Sequence, residues 1–336
     1  MESRTDLSNS SELAQRKTQH IELAKSSQTK SSGLDGRFYY EPLFFSHEKK
    51  QGWSTSFLGI SLDFPLWVSS MTGGTELAKT INQNLSLLVG KYKLGMGLGS
   101  CRPLLESDDR FNDFNCRKNL GNQPFFTNLG IAQVEELVSA GKTHLVSEMN
   151  KRLEATGLII HINPLQEWFQ PEGDKFKESP LTTLKRFLET SNYPVLVKEV
   201  GQGMGPRSLK ALIDLPIAGI EFGAFGGTNF SHLENLRSKS ESFKEEFIHI
   251  GHTAVEMVGF LNALGSHQKE IIISGGVNSS LDAYQLLKLS HSRSLIGMAY
   301  AFLEPASKSF EELEKFYLSL QDSMLTARDI LELKEE

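Results

Sequence analysis

Short apolar runs recur along the chain, separated by polar and amphipathic segments. The runs are Pro65–Ser70, Leu94–Leu98, Pro124–Asn128, Leu158–Ile162, Pro194–Lys198, Ile217–Phe222, Glu270–Ser274 and Ser294–Gly297. Each has strand length and ends in small or polar residues, as strands buried on both faces do. The spacing between them predicts helices over Glu76–Lys91, Val134–Glu148, Leu181–Thr190, Pro206–Leu212, Ser280–Leu289 and Phe310–Leu320. The longest gap, 223–269, reads as a loop excursion followed by a helix over 248–264. Strands alternating with helices pair in parallel through crossovers. Eight such units over about 250 residues match a (β/α)8 TIM barrel. An open doubly wound sheet is the alternative.

Before the first run, residues 1–12 are Ser-rich and lack an apolar core, and they read as a disordered tail rather than a signal peptide. A helix is expected over Glu12–Lys25, an N-terminal helical extension to the barrel. It carries Arg16, Lys17 and His20, with Arg16 and His20 one turn apart on one face. Residues 26–36 read as a loop. No break in composition divides the remainder, so 13–336 is expected to be a single barrel domain.

Composition narrows the class. The 336 residues are 39% apolar and 23% charged, with a formal net charge of −6. That is ordinary for a soluble protein, and it offers no broad basic field for nucleic acid. No apolar run approaches the ~18 residues of a membrane-spanning helix. The two cysteines, Cys101 and Cys116, have neither zinc spacing nor a disulfide framework. They read as free thiols, and the chain as cytoplasmic.

In a barrel the chemistry gathers at the C-terminal ends of the strands. Here those ends read Met71-Thr72-Gly73-Gly74, Gly99-Ser100-Cys101-Arg102, Thr127-Asn128-Leu-Gly130, His161-Ile-Asn163-Pro-Leu-Gln166-Glu167, Lys198-Glu199, Thr228-Asn229, Ser274-Gly275-Gly276 and Gly297-Met298-Ala299-Tyr300. The fourth crowds a His, two amides and a carboxylate at the exit of a buried strand. Its readings are a site or a hydrogen-bonded loop. The glycines after the last two strands could bring backbone N–H groups onto a phosphate at a helix N-terminus. Ordinary turn chemistry is the alternative for either one alone. Lys198 ends an apolar strand and needs a partner there: an anion, a polar ring, or an acid such as Glu199. With Thr72 and Asn128 as neighbouring donors and acceptors, the set suits a flat heteroaromatic cofactor with a phosphate tail. Gly95-Met-Gly97-Leu-Gly99 and Gly201-Gln-Gly203-Met-Gly205 resemble pieces of a dinucleotide fingerprint, but neither completes G-x-G-x-x-G.

Taken in order, these segments resemble the type 2, flavin-dependent isopentenyl-diphosphate isomerases. The resemblance runs from Arg16-Lys-Thr-Gln-His20 through His161–Glu167 and Gln170-Pro-Glu-Gly-Asp174 to Val197-Lys-Glu-Val-Gly201, Gly226-Gly-Thr-Asn229 and Ser274-Gly-Gly276. It implies interconversion of isopentenyl and dimethylallyl diphosphate by an allylic proton shift without net redox. FMN, Mg2+ and NADPH as reductant are implied with it, and a homo-oligomer, tetramer or higher. By the same resemblance Arg16, Lys17, His20, Ser100, Arg102 and Gln166 would hold the substrate. Gln166, His161 and Asn163 would form the catalytic pocket, and Glu167 would hold Mg2+. FMN would contact Met71, Thr72, Gly73, Ser100, Asn128, Lys198 and Thr228, with its phosphate near Gly275, Gly276, Ala299 and Tyr300. Cys101, Thr127 and Asn278 depart from the family's usual residues. Asn278 stands where many FMN barrels place an Arg.

Three other functions fit less well. An FMN-dependent 2-hydroxy-acid oxidase would share the phosphate loops and Lys198, yet Phe222-Gly-Ala-Phe-Gly226 occupies the region where its His-Gly-x-Arg element is expected. A binding protein without activity would leave Gln166, Glu167 and Lys198 unexplained. A metal-dependent hydrolase would lack a paired acidic or His ligand.

Overall fold

The computed structural model describes residues 5–46, 52–70, 76–238 and 243–334. Its centre is a closed barrel of eight parallel strands in sequence order. They are β1 Leu66–Val68, β2 Gly95–Gly97, β3 Phe125–Gly130, β4 Gly157–Ile162, β5 Val195–Glu199, β6 Gly219–Glu221, β7 Glu270–Ser274 and β8 Ser294–Met298. Each falls on one of the eight apolar runs, with ends that differ by no more than two residues, and the doubly wound alternative falls away because β8 pairs with β1.

Side chains alternate between the two faces of each strand. Outward residues such as Val68, Ile160, Val197, Ile220 and Ile273 join the main core under the helices. Inward residues Trp67, Phe126, Ile159, Leu196, Ile272 and Leu295 form a second cluster inside the barrel. A hairpin of Thr55–Phe57 and Ile60–Leu62 closes its lower end with Phe57 and Leu62. Two residues further along the strands the inward positions become Ser69, Asn128, His161, Lys198, Ser274 and Gly297. A dry plug thus lies under a polar layer, and the polar layer is the floor of the site.

The helices depart from expectation in several places. Val134–Glu148 is two helices, Ile131–Ser139 and His144–Arg152. Gly141 adopts φ +67° between them, and Lys142 N donates to Leu137 O, which ends the first helix. The expected helix over 248–264 is Ala254–Ala263, because Thr253 and Glu256 form a capping box that starts it there. A 3-10 turn, Phe243–His249, and a helix, Phe230–Ser238, fill the excursion. The last helix runs on to Ile330, having met no Gly or Pro that would stop it.

The chain divides into two compact units, residues 1–40 with 332–336, and 41–331. In the first, the helix spans Thr5–Leu23 and so starts before Glu12. Residues 5–11 were expected in the disordered tail. Serines cost only a few tenths of a kcal/mol each in a helix, and an existing helix extends cooperatively. Residues 1–4 lie outside the described residues. Phe38–Tyr40 pairs with Leu331–Leu333 in a two-stranded sheet.

Candidate active site at the barrel mouth

A cavity of about 570 Å3 opens at the C-terminal ends of β5 to β8. Lys198, Thr228, Gly275, Gly276, Ala299 and Tyr300 line it together. Gly275 is required there: φ is +86°, and a Cβ would lie 2.1 Å from Ala224 O. Backbone therefore packs against backbone where the loops after β6 and β7 meet. The nine-residue helix Tyr300–Lys308 starts at the wall, with its positive end toward the cavity. Asn278 also lines the cavity, and its Nδ2 donates to Gly276 O. This cradle fits a phosphate, and the hollow beside it fits a planar group. Met71, Thr72 and Gly73 lie outside the described residues.

Lys198 is buried, and its Nζ donates to the Glu199 carbonyl at 2.7 Å. The Glu199 side chain does not pair with it in return. Its Oε2 accepts from the N–H groups of Gly201, Gln202 and Gly203 at 2.6–2.9 Å. The second false fingerprint is thus a loop wound around a buried carboxylate. The first lies inside β2, where a Cβ on Gly97 would meet Ile159 Cδ1 at 2.4 Å.

On the β3–β4 side, Asn128 Nδ2 donates to Ser70 Oγ at 2.9 Å. Its Oδ1 lies 2.7 Å from His161 Nδ1. With Oδ1 as acceptor, the proton sits on Nδ1 and leaves Nε2 as an acceptor. Enclosure by the protein, with Lys198 adding repulsion, pushes the His161 pKa down to about 4. The imidazole is neutral at physiological pH.

After β4 the chain enters a short helix, Pro164–Phe169, which begins behind Asn163. Gln166 and Glu167 fall three and four residues on, beside the Asn163 side chain. Asn163 Nδ2 donates to Gln166 Oε1 at 3.1 Å and to Glu167 Oε1 at 2.8 Å. Asp174 N donates to Glu167 Oε2 at 2.8 Å. Each carboxylate oxygen keeps a lone pair, and Asn163 Oδ1 is buried with no partner. Such all-oxygen donors fit Mg2+, which takes its other ligands from phosphates and water. Among the described residues no cluster of three His, Cys, Asp or Glu could hold a metal on its own. Arg102 reaches the same loop, with Nη1 3.4 Å from Asp174 Oδ2. Ser100 Oγ accepts from Arg102 N at 3.4 Å. Arg16, Lys17 and His20 are exposed on the helix Thr5–Leu23.

Two functional features escaped the sequence reading. One is Glu199 as the organiser of its loop. The other is Glu221, a fully buried carboxyl among the cavity-lining residues. A single acid inside the apolar run Ile217–Phe222 was the available signal. Cys101 and Cys116 are both buried, and burial pushes their thiols up to about 12 and about 11.

An eight-stranded barrel with a glycine-walled cavity over a polar floor defines the class as a TIM-barrel protein with its site at the C-terminal face. Comparison with solved structures agrees on the fold. Mandelate oxidase with a difluoro-hydroxy-phenylpropionic acid superposes with TM-score 0.58 at 13% identity, covering 89% of this chain and 87% of that one. The flavin-binding domain of baker's yeast flavocytochrome b2 gives 0.57 at 15%, covering 87% and 72%. No family model matches the chain. Curated relatives are more specific. An isopentenyl-diphosphate delta-isomerase of Rickettsia rickettsii (strain Sheila Smith) is 31% identical over 325 residues, 93% of this chain and 92% of the relative. One from Synechococcus sp. is 32% identical over 318 residues, 92% and 90%. The chain belongs to the isopentenyl-diphosphate delta-isomerase family. Among the described residues no helix is long and apolar enough to cross a membrane.

Proposed function

We propose that the protein is the type 2, FMN-dependent form of this isomerase, interconverting isopentenyl and dimethylallyl diphosphate in isoprenoid biosynthesis. The observation that carries the reading is the Asn163–Gln166–Glu167 cluster, held one turn beyond His161 and fixed by its own hydrogen bonds. A redox barrel acting on hydroxy acids has no evident use for it.

Reduced FMN, when bound, supplies the acid–base group that moves a proton between allylic carbons. The protein's residues do the rest. Gly275, Gly276, Ala299 and Tyr300 receive the FMN phosphate. Lys198, Asn128, Thr228, Ser100, Met71, Thr72 and Gly73 would contact the rest of the cofactor. Glu167 holds Mg2+ against the substrate diphosphate. Arg16, Lys17, His20, Ser100 and Arg102 neutralise the remaining phosphate charge, with Arg able to bind bidentately. Gln166 borders the isoprenyl group. Neutral His161 and Asn163 offer hydrogen bonds without adding charge. NADPH is the reductant, and the active form is a cytoplasmic homo-oligomer, tetramer or higher.

The test is anaerobic incubation with isopentenyl diphosphate, FMN, Mg2+ and NADPH, followed by NMR with single omissions. Dimethylallyl diphosphate that requires both FMN and Mg2+ supports the proposal. Bound FMN with no product in the complete mixture sinks it.

A further inference from the structure

The polar layer of the barrel holds one carboxyl group that none of these roles uses. Glu221 is 0% exposed, and neither of its carboxyl oxygens has a hydrogen-bond partner. Its neighbour Ile220 packs outward into the main core, so Glu221 points into the barrel. Its register partner on β5 is Lys198, and both line the same cavity.

A carboxyl group buried without compensation is costly in either protonation state. Burial raises the Glu221 pKa, and the Lys198 charge opposes the rise, helped by the hydroxyls of Ser69 and Ser274. The other buried acid beside Lys198 is already committed, since Glu199 spends its carboxylate on three N–H groups. His161 on β4 is neutral and repelled by the same ammonium. An ammonium carries three donors, and the Glu199 carbonyl uses one of them.

We infer that Glu221 is a positioning residue whose charge balances the Lys198 ammonium across the cavity floor, while the Glu199 carbonyl takes the direct hydrogen bond, and so fixes the direction and net charge of that floor. The pairing belongs to the protein alone. Its consequence rests on the flavin reading: an uncompensated Lys198 would favour the anionic reduced ring over the neutral oxidised one.

The pairing is tested in the FMN-free protein by a double-mutant cycle in denaturant, using Glu221→Gln, Lys198→Met and the double variant. The double variant is expected to unfold less readily than the two single losses added together. The coupling should change the unfolding equilibrium about tenfold or more, as for a close charge pair. Should a single variant fail to fold, a folded double variant is the same result in stronger form. Additive losses, or a double variant no better than the worse single one, overturn the inference. In the loaded protein, Glu221→Gln should raise the affinity ratio of reduced over oxidised FMN, while Glu221→Asp stays close to wild type. Identical ratios in all three would also overturn it. A wild type that binds no FMN defeats the flavin reading instead, and the cycle still decides the pairing.

Discussion

His161 and Asn128 face each other across β4 and β3, with the imidazole Nδ1 2.7 Å from the amide Oδ1. That bond fixes the tautomer of a ring whose pKa is pushed down to about 4 from 6.5. Between these values the unfolded chain binds more protons than the folded one. Stability is therefore full above pH 6.5 and falls as pH drops toward 4, by up to about 3 kcal/mol. Denaturant unfolding of wild type and His161→Gln between pH 4 and 7 measures the difference. The two curves should converge toward low pH, and parallel curves would count against a neutral, half-buried His161.

Glu167 is gripped by two donors, Asn163 Nδ2 and Asp174 N. Glu167→Gln turns an amide NH2 toward one of them and removes the charge. The apparent Mg2+ affinity in the isomerisation assay should fall about 100-fold, comparable to or beyond the loss of an outer-shell partner. FMN binding should be unchanged, since Glu167 is not among the residues lining that cavity. Normal turnover at limiting Mg2+ would remove Glu167 from the metal role.

Gly275→Ala forces a side chain onto φ +86° and places its Cβ 2.1 Å from Ala224 O. The strain alone costs about 1–3 kcal/mol, and the clash adds to it. Lower thermal stability and weaker FMN binding are both expected. Wild-type affinity for FMN would show that this loop does not form the phosphate cradle.

Arg16 is exposed, so Arg16→Ala should leave stability within about 0.5 kcal/mol. Its expected effect is on substrate: KM for isopentenyl diphosphate rises about tenfold, the size of one lost charge-assisted bond. An unchanged KM contradicts the clamp.

Cys101 and Cys116 are buried with raised pKa values, about 12 and about 11, so little thiolate forms at pH 8. A thiol reagent should modify them only at the rate of unfolding. Rapid labelling of the native protein would contradict the burial of both thiols.

The barrel was legible because each strand is a short apolar run and each crossover a helix-length segment, from Pro65–Ser70 to Ser294–Gly297. Element ends were less so. Gly141 splits one helix through a single left-handed residue, and Thr253 restarts another through a capping box; both are local backbone events inside otherwise periodic segments. The helix behind Asn163 passed as a loop because its six residues are too few to show a period, although Asn-Pro is itself a start signal. Lys198 stood out as a charge at a strand end. Its surroundings did not: the Glu199 carboxylate turns onto the N–H groups of its own loop, a local backbone conformation, and the placing of Glu221 beside Lys198 depends on the register between β5 and β6.

The central claim is proton transfer without net redox, and the most direct measurement counts turnovers per reduced flavin. The protein is loaded with FMN, reduced once, freed of excess reductant, and given Mg2+ and isopentenyl diphosphate under argon. Dimethylallyl diphosphate exceeding flavin by orders of magnitude, with the flavin still reduced, is the result this account predicts. Product limited to one equivalent per flavin, or flavin reoxidised as product forms, would contradict it and turn attention to the oxidases that share the fold.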